Sequence, residues 1–142
     1  MSKSDAAEAG FLQLLFHATL FANIGINATA GPLTTLKVSL HKADPGEAGD
    51  QTTSEVTYGG YLRVLVNRTT AGWAYSAGSV SPVATISFPA CTAGSNTVTH
   101  FGIGSASSGA GVLYYSGTVA PNIAVSSGVT ARLTTGTIIS EA

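Results

Sequence analysis

The sequence predicts a mainly β protein: a single antiparallel β-sandwich or jelly-roll-like domain led by one N-terminal α-helix. Three observations predict it. Apolar residues recur at a spacing of three and four near the amino end, and then at a spacing of two from residue 36 onward. Short apolar runs follow at near-regular intervals, separated by clusters of Gly, Ser, Asn and Pro. With 142 residues and no biased tail, the chain is expected to hold one domain, divided into a helix and connector over 1–30 and a β-sandwich over 31–142.

The helix is predicted over 5–22. Asp5 with Glu8 resembles a capping box, and Phe11, Leu14, Leu15, Ala18 and Phe21 share one face, with Leu12, Phe16 and Leu20 beside them. Such a wide apolar stripe needs cover on more than one side, so Phe11, Leu12, Leu15, Phe16 and Leu20 are expected to form an assembly interface. The run 11–26 imitates a secretion signal. Its acidic flank and its internal Gln13, His17 and Asn23 argue against one, and it is too short and too polar to span a membrane.

After Gly31-Pro32, Leu36, Val38 and Leu40 alternate with Lys37, Ser39 and His41, which predicts a strand with one buried and one wet face. Residues 43–55 form an expected exposed loop. Further strands are expected over 61–66, 73–75, 83–88, 97–103, 112–116, 123–125, 129–133 and 137–139.

Charge narrows the functions available. Charged residues are 9% of the chain, and no Asp or Glu occurs over 56–140. Paired-carboxylate hydrolysis, Mg²⁺ or Ca²⁺ binding and a Ser-His-Asp triad would all have to borrow acids from the 43–55 loop. A net charge of −1 offers no field for nucleic acid or an anionic membrane. One cysteine, Cys91, excludes an internal disulfide and reads as a small core residue. His17, His41 and His100 lack metal-ligand spacing. Gly102-Ile103-Gly104 lacks the third glycine and the following helix of a dinucleotide fingerprint. No catalytic, cofactor or metal site is expected.

Two sets of residues remain as candidates. Asp44, Glu47, Asp50 and Glu55 concentrate charge in one loop and are expected to dock it onto a basic partner. Arg63, Arg68 and Arg132 are the only charges of the acid-free body, and they can pair with that loop in the same or a neighbouring subunit. Tyr58, Tyr61, Trp73, Tyr75, Tyr114 and Tyr115 read chiefly as packing residues, with an aromatic sugar-binding surface as the alternative.

Four blocks carry a resemblance. The strand Leu36-Lys37-Val38-Ser39-Leu40-His41 continues into Asp44-Pro45-Gly46-Glu47. It is followed by Tyr58-Gly59-Gly60-Tyr61-Leu62-Arg63-Val64, by Ile86-Ser87-Phe88-Pro89-Ala90, and by Val98-Thr99-His100-Phe101-Gly102-Ile103-Gly104 with Leu113-Tyr114-Tyr115-Ser116-Gly117. In this order they resemble a family of small tailed-bacteriophage virion proteins, whose members range from tail-fibre-like to head-decorating. The resemblance implies a structural, non-enzymatic role in the virion. The expectation is a capsid decoration or cement protein that binds the major capsid protein as a homo-oligomer. A tail-fibre or baseplate component contacting the host surface is the alternative.

Overall fold

The structure, a computed structural model, describes residues 5–20 and 32–140. It is mainly β, with antiparallel sheets and one N-terminal helix, in keeping with a β-sandwich. The expected helical residues 21 and 22 and the connector as far as Gly31 lie outside the described residues. The chain divides into two compact units, and the division does not follow the 1–30 and 31–142 partition. One unit joins the described part of 1–35 to Asn67–Thr85 and to the chain after Thr134. The other comprises Leu36–Val66 and Ile86–Leu133.

In the first unit, α1 (Asp5–His17) packs on a three-stranded sheet. That sheet contains β3 (Trp73–Ser76), β4 (Ser79–Pro82) and β9 (Ile139–Ser140), in the order β3-β4-β9. Leu12 and Phe16 are fully buried, and the Phe16 ring meets Trp73 edge-on at 4.7 Å. The helix stops at His17, five residues short of the expected end, because Ala18 turns left-handed at φ 54° and Thr19 N–H bonds back to Gln13 C=O at 3.1 Å. The buried guanidinium of Arg68 donates to the carbonyls of Leu14, Leu15 and Leu33, so a cation caps the negative end of the helix. Between β3 and β4, Ala77 (φ 44°) and Gly78 (φ 79°) form a two-residue hairpin of the kind that matches strand twist. The strand expected over 83–88 is shorter, since Val83 is 48% exposed and only Ile86–Ser87 pairs.

The second unit holds a four-stranded sheet ordered β2-β1-β6-β7. Its strands are β1 (Thr35–His41), β2 (Val64–Asn67), β6 (Asn96–Gly104) and β7 (Leu113–Val125). A small pair, β5 (Ile86–Ser87) with β8 (Arg132–Leu133), completes the unit. Antiparallel register places Val38 opposite Ile103 and Leu40 opposite Phe101, all buried, so this side of the sheet is apolar. Burying each such side chain is worth about 1.5 to 3 kcal/mol.

The strands expected over 112–116 and 123–125 are one strand. Pro121 lies within it without breaking it, because β7 is last in the sheet and its outer edge needs no ladder bonds. The irregular register between Val98 and His100 absorbs the extra residues of β7.

Candidate functional site

The opposite face of this sheet is polar, and register assembles it. His41 stands opposite His100, and His100 opposite Thr118. Ser39 stands opposite Gly102, and Gly102 opposite Ser116. Alternation predicts that this face is wet, yet Ser39 and His41 are both 0% exposed. The reason is the 43–55 segment, which folds back against the end of β1: Lys42 N–H bonds Ser54 C=O at 2.7 Å and Val56 N–H bonds Leu40 C=O at 3.0 Å.

His41 uses both ring nitrogens. Nδ1 lies 2.8 Å from the Thr53 carbonyl and Nε2 lies 2.8 Å from the Ser39 hydroxyl. A carbonyl can only accept, so Nδ1 carries the proton and Ser39 donates to Nε2 in the neutral ring. Burial pushes the His41 pKa down, against the Thr53 hydrogen bond and the Glu55 charge that favour the imidazolium. Serine on a carbonyl-oriented imidazole is the geometry of an activated nucleophile. Here both residues are fully buried, and the pair fastens the segment down. Gly102 makes room: a Cβ there would lie 2.7 Å from both His41 Nε2 and Ser39 Oγ.

Glu55 and Arg63 lock the far end of the segment. Arg63 Nε and Nη2 donate to the two Glu55 carboxylate oxygens at 2.7 and 2.8 Å, and Tyr61 O–H adds a third bond at 2.8 Å. The same guanidinium reaches the carbonyls of Ala106 and Gly109 in the β6–β7 turn, at 2.9 and 2.8 Å. Fully buried Gln51 joins that turn as well, donating its N–H to Ala110 C=O and accepting at Oε1 from Ala106 N–H. The carboxylate holds the Arg63 pKa above its ordinary value, and burial raises that of Tyr61.

Beside this sealed region lies a pocket of about 330 Å³. Asp44, Gly46, Glu47 and Gly49 form one wall and residues 113–116 of β7 the other. The register shifts between the pairs Ile103–Tyr115 and Gly104–Leu113, so Tyr114 stands opposite no residue of β6. Such a bulge re-aims a side chain, and Tyr114 is 38% exposed in the pocket wall.

Comparison with known families finds a match over residues 4–141 to the model described as podophage GP4 fiber I protein gp80. The chain belongs to this family. The match spans nearly the whole chain and agrees with the resemblance to tailed-phage virion proteins. No curated protein matches the chain.

Within this fibre-family chain, the expected site residues separate. Of the acidic loop, Glu55 is committed to Arg63. Asp50 closes its own turn by accepting from Thr52 N–H, Thr52 O–H and Thr53 N–H, and its pKa is lowered chiefly by the Thr52 hydroxyl. Only Asp44 and Glu47 face the pocket, and Asp44 Oδ1 already holds Gly46 N–H at 2.9 Å. Of the arginines, Arg68 caps the helix, and Arg132 is exposed on β8.

Of the expected assembly stripe, Leu12 and Phe16 are buried in the core of their own unit. Leu15 is half-buried, while Phe11 and Leu20 are 43% and 68% exposed. The aromatics divide too: Tyr58 and Tyr61 pack in the core beside Phe88, Trp73 belongs to the other unit, and Tyr114 and Tyr115 line the pocket. Cys91 is buried, and its thiol meets the Ala93 carbonyl. Among the described residues no group of His, Cys, Asp and Glu is arranged to hold a metal ion.

Sequence reasoning missed the Ser39–His41 pair. Its signal was present, since residues two apart on a strand share a face.

Proposed function

We propose that this chain is a structural subunit of a podophage tail fibre, built into the virion and turned toward the host surface. The single observation that carries this reading is the family match over residues 4–141. The chemistry of the chain supports a structural role. The serine–histidine pair is sealed, and Glu55, whose charge acts on His41, is bound bidentately to arginine, so neither is free for acid–base work. Copies of a fibre subunit act together, and weak individual contacts gain strength through multivalency.

The test is position and copy number. Immunogold labelling of intact virions, with quantitative densitometry against the major capsid protein, is expected to place the chain on the tail in a few tens of copies or fewer. Hundreds of copies spread over the shell would overturn the fibre reading in favour of capsid decoration and direct binding to the major capsid protein.

A further inference from the structure

We propose that the pocket between the 44–49 turn and β7 is a binding site for a neutral, hydroxyl-rich saccharide. The inference rests on the fibre reading for the biological source of that sugar, a glycan of the host envelope.

Shape comes first. The volume of about 330 Å³ lies within the range of small-ligand pockets, at its lower end. Each wall has an anchor before a ligand arrives. On the loop side Pro45 is buried, and Gly49 packs so closely that a Cβ there would fall 2.1 Å from the Pro45 carbonyl oxygen. On the strand side the ladder to β6 holds Tyr115 and Ser116 in register. Prior order lowers the cost of binding.

The lining then selects the ligand. Asp44 and Glu47 carry hydrogen-bond acceptors, and among the described residues no Lys or Arg lines the pocket, so an anionic group is repelled there and hydroxyl donors are accepted. Tyr114 adds a ring whose apolar face suits the C–H face of a pyranose and whose hydroxyl can bond its rim. The bulge that frees this ring from the ladder is the feature a purely structural strand would not need.

From the pocket wall outward, Ser116 and then Thr118 are exposed on the same strand at a spacing of two, about 7 Å apart. They continue the polar surface along β7, as a chain of sugar units requires. An ammonium or guanidinium from a neighbouring protein would satisfy the two carboxylates alone and leave this hydroxyl row unused.

Chemical-shift titration of the isotope-labelled full chain tests the site. The probes are the methyl glycosides of glucose, galactose and mannose as neutral sugars, N-acetylneuraminic acid as the anionic sugar, and arginine amide as the cation. At least one neutral glycoside is expected to shift the amides of 44–49 and 113–118, with no response to the anionic sugar. The double variant Asp44→Asn, Glu47→Gln and, separately, Tyr114→Ala are each expected to weaken binding roughly tenfold or more. Arg132→Ala is expected to leave it unchanged. Circular dichroism confirms that each variant is folded, and Tyr114→Leu, which removes the ring but keeps apolar bulk, serves if the alanine variant is not.

Absence of binding by all three neutral glycosides would overturn the site. So would binding of arginine amide in their place, or glycoside binding that survives the pocket substitutions. Because the measurement uses the isolated chain, it is independent of position in the virion. Glycoside binding by a chain that immunogold places on the shell would overturn the fibre reading and leave the site standing.

Discussion

Along one polar face of one sheet, the β1 end and the β7 end have opposite fates. At β1 the face carries Ser39 and His41, and the 43–55 segment closes over them with a partner for every polar atom of the pair. At β7 it carries Ser116 and Thr118, which stay exposed beside a pocket. Composition does not separate the two ends, since both offer short hydroxyl side chains on alternate positions. The difference lies in what crosses above them. A segment held by Glu55–Arg63, Gln51 and Thr53 covers the first, and a short turn carrying Asp44 and Glu47 stands beside the second. Removing one member of a buried hydrogen-bonded pair leaves the other unpaired, so the sealed end is sensitive to substitution where the open end is tolerant.

The largest effect is expected at the lock. Arg63→Ala removes both bonds to Glu55 and those to the Ala106 and Gly109 carbonyls, and it strands a largely buried carboxylate. A loss of about 3 kcal/mol is expected in urea denaturation. An unchanged midpoint would make the ion pair a surface contact. Gly102→Ala comes next, at about 1 to 3 kcal/mol, because the added methyl meets His41, Ser39 and Leu113, all held in place.

The pH dependence is smaller and has a definite sign. The unfolded chain protonates His41 near 6.5, and the native chain only at lower pH because burial disfavours the imidazolium. The unfolded state therefore binds more protons between the two values. Stability attributable to His41 is complete above pH 6.5 and declines as pH falls toward the native pKa, by at most about 1.4 kcal/mol per pH unit. Denaturation midpoints measured from pH 7.5 to 5 are expected to fall in the wild type and to flatten in that window in His41→Gln. The smallest effect belongs to the open end: Glu47→Gln is expected to shift stability by less than about 0.5 kcal/mol in the same assay.

The sequence carried these features unequally. Periodicity located β1, and the register of β1 with β6 follows from burying Val38, Leu40, Phe101 and Ile103 on one side. The covering of the other side was not legible, because a hydroxyl and an imidazole on alternate positions read as a wet face until a distant segment supplies their partners. Arg63, Arg68 and Arg132 were equivalent as isolated cations. Only tertiary placement sends one to Glu55 and another to the carbonyls that end α1. Strand β4 was hidden in Ser-Val-Ser-Pro, where turn-forming composition outweighs one buried valine. The pocket depended on the bulge at Tyr114, which arises from ladder register and leaves no mark in residue type.

Native-state hydrogen exchange on the full chain tests the contrast between sealed and open ends most directly. The amides of β1 and of Gln51, Glu55 and Val56 are expected to exchange only through large-scale unfolding, and those of Gly46, Glu47 and Ala48 through local opening at far lower free energy. Equal protection of the two stretches, or faster exchange at Gln51 and Glu55 than at Glu47, would contradict the account.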